Sequence, residues 1–370
     1  MTLLLASVAV SLLLCEFVIR WFYPQRLYFN VSQWDPYVGF SPIPNIEGFS
    51  THQDYLMHMK INSRGLRDRE FAYSPPPRTL RIGVFGDSFT FGEGVQNDET
   101  YAKGLERLLN GDPAVRKTGW RIEVLNFGIG KTGTSHQLAW YQKEGRKYHL
   151  DLVILGFLSG NDFSDNWGGV FYLKGNQLIH NPTAYSSIRR IQSVVYRIPL
   201  YRWLAQHSHL VSLVRQGATK IDDAMRTRAS GDLNRRNGTG DDINGISDDS
   251  YALTLRLIQE FQRETRKDQS RFMVVNLPAR NQRPLGAYSD QSKIKPYVVK
   301  GEALLEDLDE QDVEVLNLVP VFADLPVGKY YFEHDGHMNK RGHEVVASHI
   351  CEATLPDVLR MTGEVDADRP

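Results

Sequence analysis

Five short apolar runs limit what this chain can fold into. LRIGVFG (80–86), RIEVLNF (121–127), DLVILGF (151–157), RFMVVNL (271–277) and VEVLNL (313–318) are rich in Val, Ile and Leu and show little polar alternation. A strand with one wet face alternates apolar and polar side chains. A continuous apolar run suits a strand covered on both faces, as in a parallel sheet between two helical layers. Helical patterns lie between the runs. ETYAKGLERLLNG has Asp98 as an N-cap and Gly111 just past its end; SHQLAWYQKEGRK, DDSYALTLRLIQEFQRETRK and KRGHEVVASHICEATL follow the same logic. The alternation predicts an α/β/α sandwich with a mainly parallel five-stranded sheet over residues 80–355. With 370 residues, 41% of them hydrophobic, the chain can bury a core of that size. Its formal net charge of −1 argues against a nucleic-acid partner, which usually draws a basic excess.

Three segments fall outside this pattern. Residues 1–23 include TLLLASVAVSLLLCEFVIRWFY, apolar except for Glu16 and Arg20. The run is near the lower limit for a spanning helix, roughly 17–25 residues, and no small-residue cleavage site follows it. It reads as a single membrane anchor, with Arg20, Trp21 and Tyr23 at the interface. Arg20 and Arg26 follow the run and no basic residue precedes it, which by charge alone leaves the main domain in the cytoplasm. Cys15 lies inside the run and Cys351 far from it, so no disulfide framework is indicated. Residues 24–79 carry many turn signals (SPIPN, PPP) and read as an irregular extension. Residues 165–248 form an insertion: an aromatic, helix-prone part (YRIPLYRWLAQHSHLVSLVRQ), then a polar, Gly-rich part (226–249) read as a mobile loop. Residues 356–370 read as a tail.

Four loops carry chemistry, and each follows one of the apolar runs. In VFGDSFTFGEG, Ser88 sits in a tight turn at the carboxyl edge of the sheet, where open α/β folds place ligands. It is a candidate nucleophile or a helix-capping serine. NFGIGKTGTSHQL looks like the end of a phosphate-binding loop, but that fingerprint requires glycine where Leu125 stands. What remains is a glycine-rich turn at Gly130 and Lys131 whose backbone N–H groups can face an anion. LSGNDFSDN places Asn161 to donate to an oxyanion, or to close an Asx turn. In FEHDGHMNKRGHEVVA, Asp335 can orient His337 as a base. There, His334, Asp335, His337 and His343 could instead hold a metal, or Asp335 could cap a helix. Together the four loops supply nucleophile, base, orienter and oxyanion donors, the set an acyl-transfer site requires.

The order GDSF, NFG, SGND and DGH resembles the SGNH, or GDSL-type, serine hydrolases over about residues 80–355. KINSRGLRDREF (60–71) resembles membrane-anchored bacterial members. The resemblance implies a flavodoxin-like fold and serine-dependent ester hydrolysis or acyl transfer, with no cofactor or metal. Carried over residue by residue, Ser88 is the nucleophile, Asp335 the acid and His337 the base. Ser88, Gly130, Lys131 and Asn161 form the oxyanion hole. Two departures stand out. Asp335 and His337 are two apart where three is the commoner family spacing. Lys131 replaces the usual oxyanion glycine, and its Cβ is unwelcome in a glycine-only conformation.

The resemblance and the anchor favour an acylated surface glycan or lipid as substrate, and hence a domain outside the cytoplasm. Trp167, Phe171, Tyr172 and Trp203 of the insertion are candidate substrate contacts, each with ordinary core as the bland alternative. The competing reading is a non-catalytic glycan-binding or scaffold component of a membrane-bound glycan-modification or export machinery.

Overall fold

The computed structural model describes residues 2–25, 27, 29–166, 169–181, 191, 194–195, 198–218, 220–221 and 246–364. Its centre is a five-stranded sheet of β5 (Thr79–Gly86), β6 (Arg121–Asn126), β7 (Leu152–Phe157), β10 (Arg271–Asn276) and β11 (Glu314–Asn317), in the order β11-β10-β7-β5-β6. Every pairing in it is parallel. Counted along the chain, that order is the flavodoxin-like one, 2-1-3-4-5, with a topological switch between β5 and β7.

The continuous apolar runs are explained by two cores, one on each face. Ile82, Val84, Ile154, Met273 and Val275 point to one core with Leu105 of α3 (Tyr101–Gly111) and Val346 and Ile350 of α10 (Lys340–Glu364). Phe85, Val153, Leu155 and Val274 point to the other. That core holds Leu138 of α5 (Thr134–Lys143), Leu257 and Phe261 of α8 (Asp248–Lys267) and Leu304 of α9 (Pro296–Asp309). Successive residues enter opposite cores, so neither face tolerates polar alternation.

Several boundaries differ from the sequence expectations. Thr100, not Asp98, caps α3, accepting from the Lys103 N–H, and Gly111 is inside the helix. Residues 24–79 are not irregular throughout. They form two antiparallel hairpins, β1 (Ser32–Asp35) with β2 (Gly39–Pro42) and β3 (Ile46–Thr51) with β4 (Leu56–Ile61). The tail does not begin at 356. α10 runs through Pro356 to Glu364, because Val358 is buried in the core and anchors the last turns despite the missing N–H of proline.

After α6 (Asp162–Asn166), which begins before the insertion, the insertion contributes a hairpin of β8 (Phe171–Lys174) and β9 (Gln177–His180), α7 (Pro199–His207) and helical residues 209–218. Trp167 and residues 222–245, which hold most of the stretch read as a mobile loop, lie outside the described residues. Phe171 is buried in the core, whereas Tyr172 and Trp203 are exposed. α1 (Thr2–Phe22) has no buried residue and is long and apolar enough to cross a membrane.

Candidate active site

Ser88 is presented by a sharp strand-to-helix turn. β5 ends at Gly86, and the four-residue helix α2 (Ser88–Phe91) folds straight back over it. A Cβ on Gly86 would lie 1.9 Å from Thr90 Oγ1, so only glycine permits the fold-back. Asp87 caps α2, its Oδ1 accepting the Phe89 N–H at 2.8 Å. Ser88 thereby stands at the carboxyl end of β5, at the switch point of the sheet.

His337 arrives from the loop before α10. Its Nε2 is 2.7 Å from Ser88 Oγ, and its Nδ1 pairs with Asp335 Oδ1. The same Oδ1 accepts the backbone N–H of His337 at 3.0 Å. One carboxylate oxygen thus takes both the backbone and the ring of the residue two positions on, in an Asx-type turn. That is how a spacing of two suffices to orient the base. A carboxylate can only accept, so Nδ1 carries the proton and Nε2 is left to receive the one from Ser88. Burial works against the charged forms of both groups, but their mutual hydrogen bond and attraction prevail. The Asp335 carboxyl is held well below the usual carboxylate range and His337 is raised above 6.5.

The loop after β6 passes beside Ser88. A Cβ on Gly130 would lie 3.9 Å from Ser88 Cβ. Lys131 has φ of +64°, in the left-handed region that favours glycine. The sequence departure therefore falls on a position whose backbone keeps the glycine-like shape.

Asn161 follows β7 as expected, but its amide is engaged. Its Nδ2 donates to Asp87 Oδ2 and to Asp165 Oδ2, each at 3.0 Å, and its Oδ1 is buried with no hydrogen-bond partner among the described residues. Both amide hydrogens are directed at carboxylates, so serving an oxyanion requires one to be released. Asp162, buried beside this group, accepts the Leu158 N–H at 2.8 Å. Burial, with the charges of Asp87 and Asp165 adding to it, pushes the Asp162 pKa up from the usual carboxylate value.

The metal alternative does not assemble, because Asp335 and His337 pair with each other while the other two members are engaged elsewhere. His334 pairs with Asp54 at 2.8 Å, and buried His343 accepts the Tyr101 N–H at 3.1 Å. No cluster of three or more His, Cys, Asp or Glu suited to a metal occurs among the described residues.

The N-terminal extension supplies positioning groups that the sequence did not announce. Tyr55, in the turn between β3 and β4, donates to Asp335 Oδ2 at 3.0 Å. Its neighbour Asp54 also accepts the His334 backbone N–H at 2.8 Å. Arg67, fully buried, donates to the carbonyls of Phe91 and Gly92 and holds the turn behind Ser88. Asp68 accepts the Asn126 N–H at 3.1 Å and pairs with Lys103 at 2.8 Å, fixing the end of β6. RGLRD in the 60–71 motif was the available signal for Arg67 and Asp68. Nothing in HQDYLMH marks Tyr55.

No family model and no curated protein sequence matches the chain. Among solved structures it is similar to lipolytic hydrolases of the GDSL type. A lipase/acylhydrolase from Enterococcus faecalis is 13% identical, over 79% of this chain and 100% of that one, with a TM-score of 0.40. An acetyl xylan esterase is 14% identical, over 74% and 99%, with a TM-score of 0.39. A GDSL-like lipase from Bacteroides thetaiotaomicron is 10% identical, over 78% and 93%, with a TM-score of 0.38.

Proposed function

We propose that this chain is a membrane-anchored serine esterase of SGNH type that works through an acyl-serine intermediate. The observation that carries the reading is the unbroken line from Ser88 Oγ through His337 to Asp335. Ser88 Oγ attacks the ester carbonyl carbon as its proton passes to His337 Nε2, and Asp335 stabilises the imidazolium formed. The backbone N–H groups of Ser88 and of the Gly130–Lys131 turn, with Asn161, hold the negative oxygen of the tetrahedral intermediate. Its collapse breaks the ester C–O bond, and the leaving alcohol takes the proton from His337. Water then attacks the acyl carbon with His337 as base, which regenerates Ser88. A sugar hydroxyl in place of water would make the same site an O-acyltransferase.

An acylated surface glycan or lipid is the substrate class that suits a site tethered to a membrane, with the catalytic domain outside the cytoplasm. A fluorophosphonate probe added to the full chain should label Ser88, and Ser88→Ala should abolish both labelling and turnover of a small acetyl ester. A folded protein that stays unlabelled overturns the esterase reading in favour of a glycan-binding or scaffold role. Product analysis with a sugar acceptor present separates hydrolysis from transfer. A reporter fused after Pro370 that reads as cytoplasmic overturns the surface-glycan substrate.

A further inference from the structure

A carboxylate inside an apolar span must be satisfied, because an unpaired charge in hydrocarbon is costly. α1 carries Glu16 six residues before its end at Phe22, roughly 9 Å in at 1.5 Å per residue. At that level it meets the insertion. Glu16 Oε2 accepts the Ser208 hydroxyl at 2.7 Å and the Leu210 N–H at 2.9 Å, and Oε1 accepts the His209 N–H at 3.1 Å. Arg20 donates both to Glu16 at 2.9 Å and to the His207 carbonyl at 2.6 Å. The Gln25 N–H donates to His209 Nδ1 at 2.8 Å. The turn at 207–210 is therefore latched to the membrane-type helix, with Glu16 capping helical residues 209–218 from another part of the chain.

The latch sets the depth of the two flanking helices. Both expose large apolar side chains: Ile198, Leu200 and Trp203 at α7, and Val214 and Ile221 beyond the turn. Between them and α1 lies a cavity of about 540 Å³, walled by Leu12, Tyr201, Leu210, Val211, Val214 and Ala218 among others. Leu12 is about one helical turn deeper in the span than Glu16. The cavity and the apolar side chains are thus continuous with the apolar surface of α1.

We propose that the insertion is itself a membrane-seated element. α7, helical residues 209–218 and Ile221 lie in the interface of the bilayer, with their apolar side chains among the acyl chains. Glu16 and Arg20 lock them to α1, and a lipid acyl chain fills the cavity. α1 is then a permanent structural member rather than a leader to be removed. This rests on α1 being a membrane anchor, and is independent of the ester chemistry.

The test uses the full chain in vesicles of phosphatidylcholine and phosphatidylglycerol, in a Cys15→Ser, Cys351→Ser background. An environment-sensitive fluorophore is attached through Leu200→Cys, Trp203→Cys or Val214→Cys, with Leu5→Cys in α1 and Lys117→Cys on the distant surface as references. Lipids carrying a doxyl quencher should quench positions 200, 203 and 214 at least about threefold more than position 117. Glu16→Ala should cut quenching at position 203 by about half or more and leave position 5 unchanged. Quenching at position 5 alone overturns the proposal while the anchor stands, and its absence at position 5 overturns both. Shielding from water without lipid quenching means a protein occupant and also overturns it. Fluorophosphonate labelling of Ser88 in the same samples reports separately on the esterase reading.

Discussion

Tyr55 Oη lies 3.0 Å from Asp335 Oδ2, across 280 residues of chain. It ties a hairpin outside the α/β domain to the carboxylate that orients the base. The hydroxyl donates, so it fixes the carboxylate's rotation and disperses part of its charge. Tyr55→Phe should therefore lower kcat/KM by about tenfold, the effect of losing about 1.4 kcal/mol of orientation. It should also raise the midpoint of the acid limb of the pH profile, because an undispersed Asp335 charge holds the His337 proton more tightly. A uniform loss of rate at every pH would mean that Tyr55 only stabilises the fold.

The pH profile of the native chain follows from the same pair. His337 must be neutral to accept the Ser88 proton, and Asp335 raises its pKa above 6.5 despite burial. Activity on a small ester should therefore rise with pH through a midpoint above 6.5. Asp335→Asn removes the charge that raises His337 and favours the wrong tautomer. The midpoint should move to lower pH while kcat falls by roughly 10³–10⁴. A midpoint that stays in place in Asp335→Asn would show that the pair does not control the base.

The sheet and the Ser88–His337–Asp335 line were legible in the sequence for local reasons. Both-face burial removes polar alternation from a strand; Ser88 sits in the first residues after β5, where motif and position coincide, and Asp335 and His337 share one short motif before α10. What was not legible depends on contacts distant in sequence. Tyr55 and Asp54 reach a loop that no local pattern links to them. The two hairpins hid behind prolines, which usually signal turns. Pro356 looked like a helix stop, and only the burial of Val358 in the core carries the helix past it. Asn161 follows β7 as its motif indicated, but its two carboxylate partners are set by packing around the Ser88 turn.

Asn161 offers a direct test of its two roles. If it donates to the oxyanion in the transition state, Asn161→Ala should lower kcat by about 10²–10³ with little change in KM. If its amide serves only to separate Asp87 from Asp165, kcat should hold and thermal stability should fall, since buried Asp87 and half-buried Asp165 lose their shared donor. The first outcome is expected when the oxyanion replaces one of the two carboxylates as acceptor of an Nδ2 hydrogen.

Lys131 holds a left-handed backbone at φ of +64°, which costs a residue with a Cβ about 1 kcal/mol. Lys131→Gly should relieve that strain and raise the unfolding midpoint by about 2 °C. Its backbone N–H would be kept while the side chain disappears. The ratio of kcat/KM for acetyl and longer acyl esters should change if Lys131 helps to choose the acyl group. An unchanged ratio would limit Lys131 to a backbone role.

His343 governs stability rather than chemistry. Its ring is buried and accepts the Tyr101 N–H at 3.1 Å. Burial, aided by the charges of Arg67 and His337, pushes its pKa from 6.5 down to about 3. Between those values the unfolded chain binds a proton there and the folded chain does not, so stability rises with pH. The contribution is complete above 6.5 and is lost as pH falls toward about 3. Its upper bound is on the order of 5 kcal/mol. His343→Asn keeps an acceptor for Tyr101 but cannot titrate. The unfolding midpoint of that variant in detergent should fall less steeply than the native one between pH of about 6.5 and about 4. Parallel curves would show that other groups, not His343, set the acid limit of the fold.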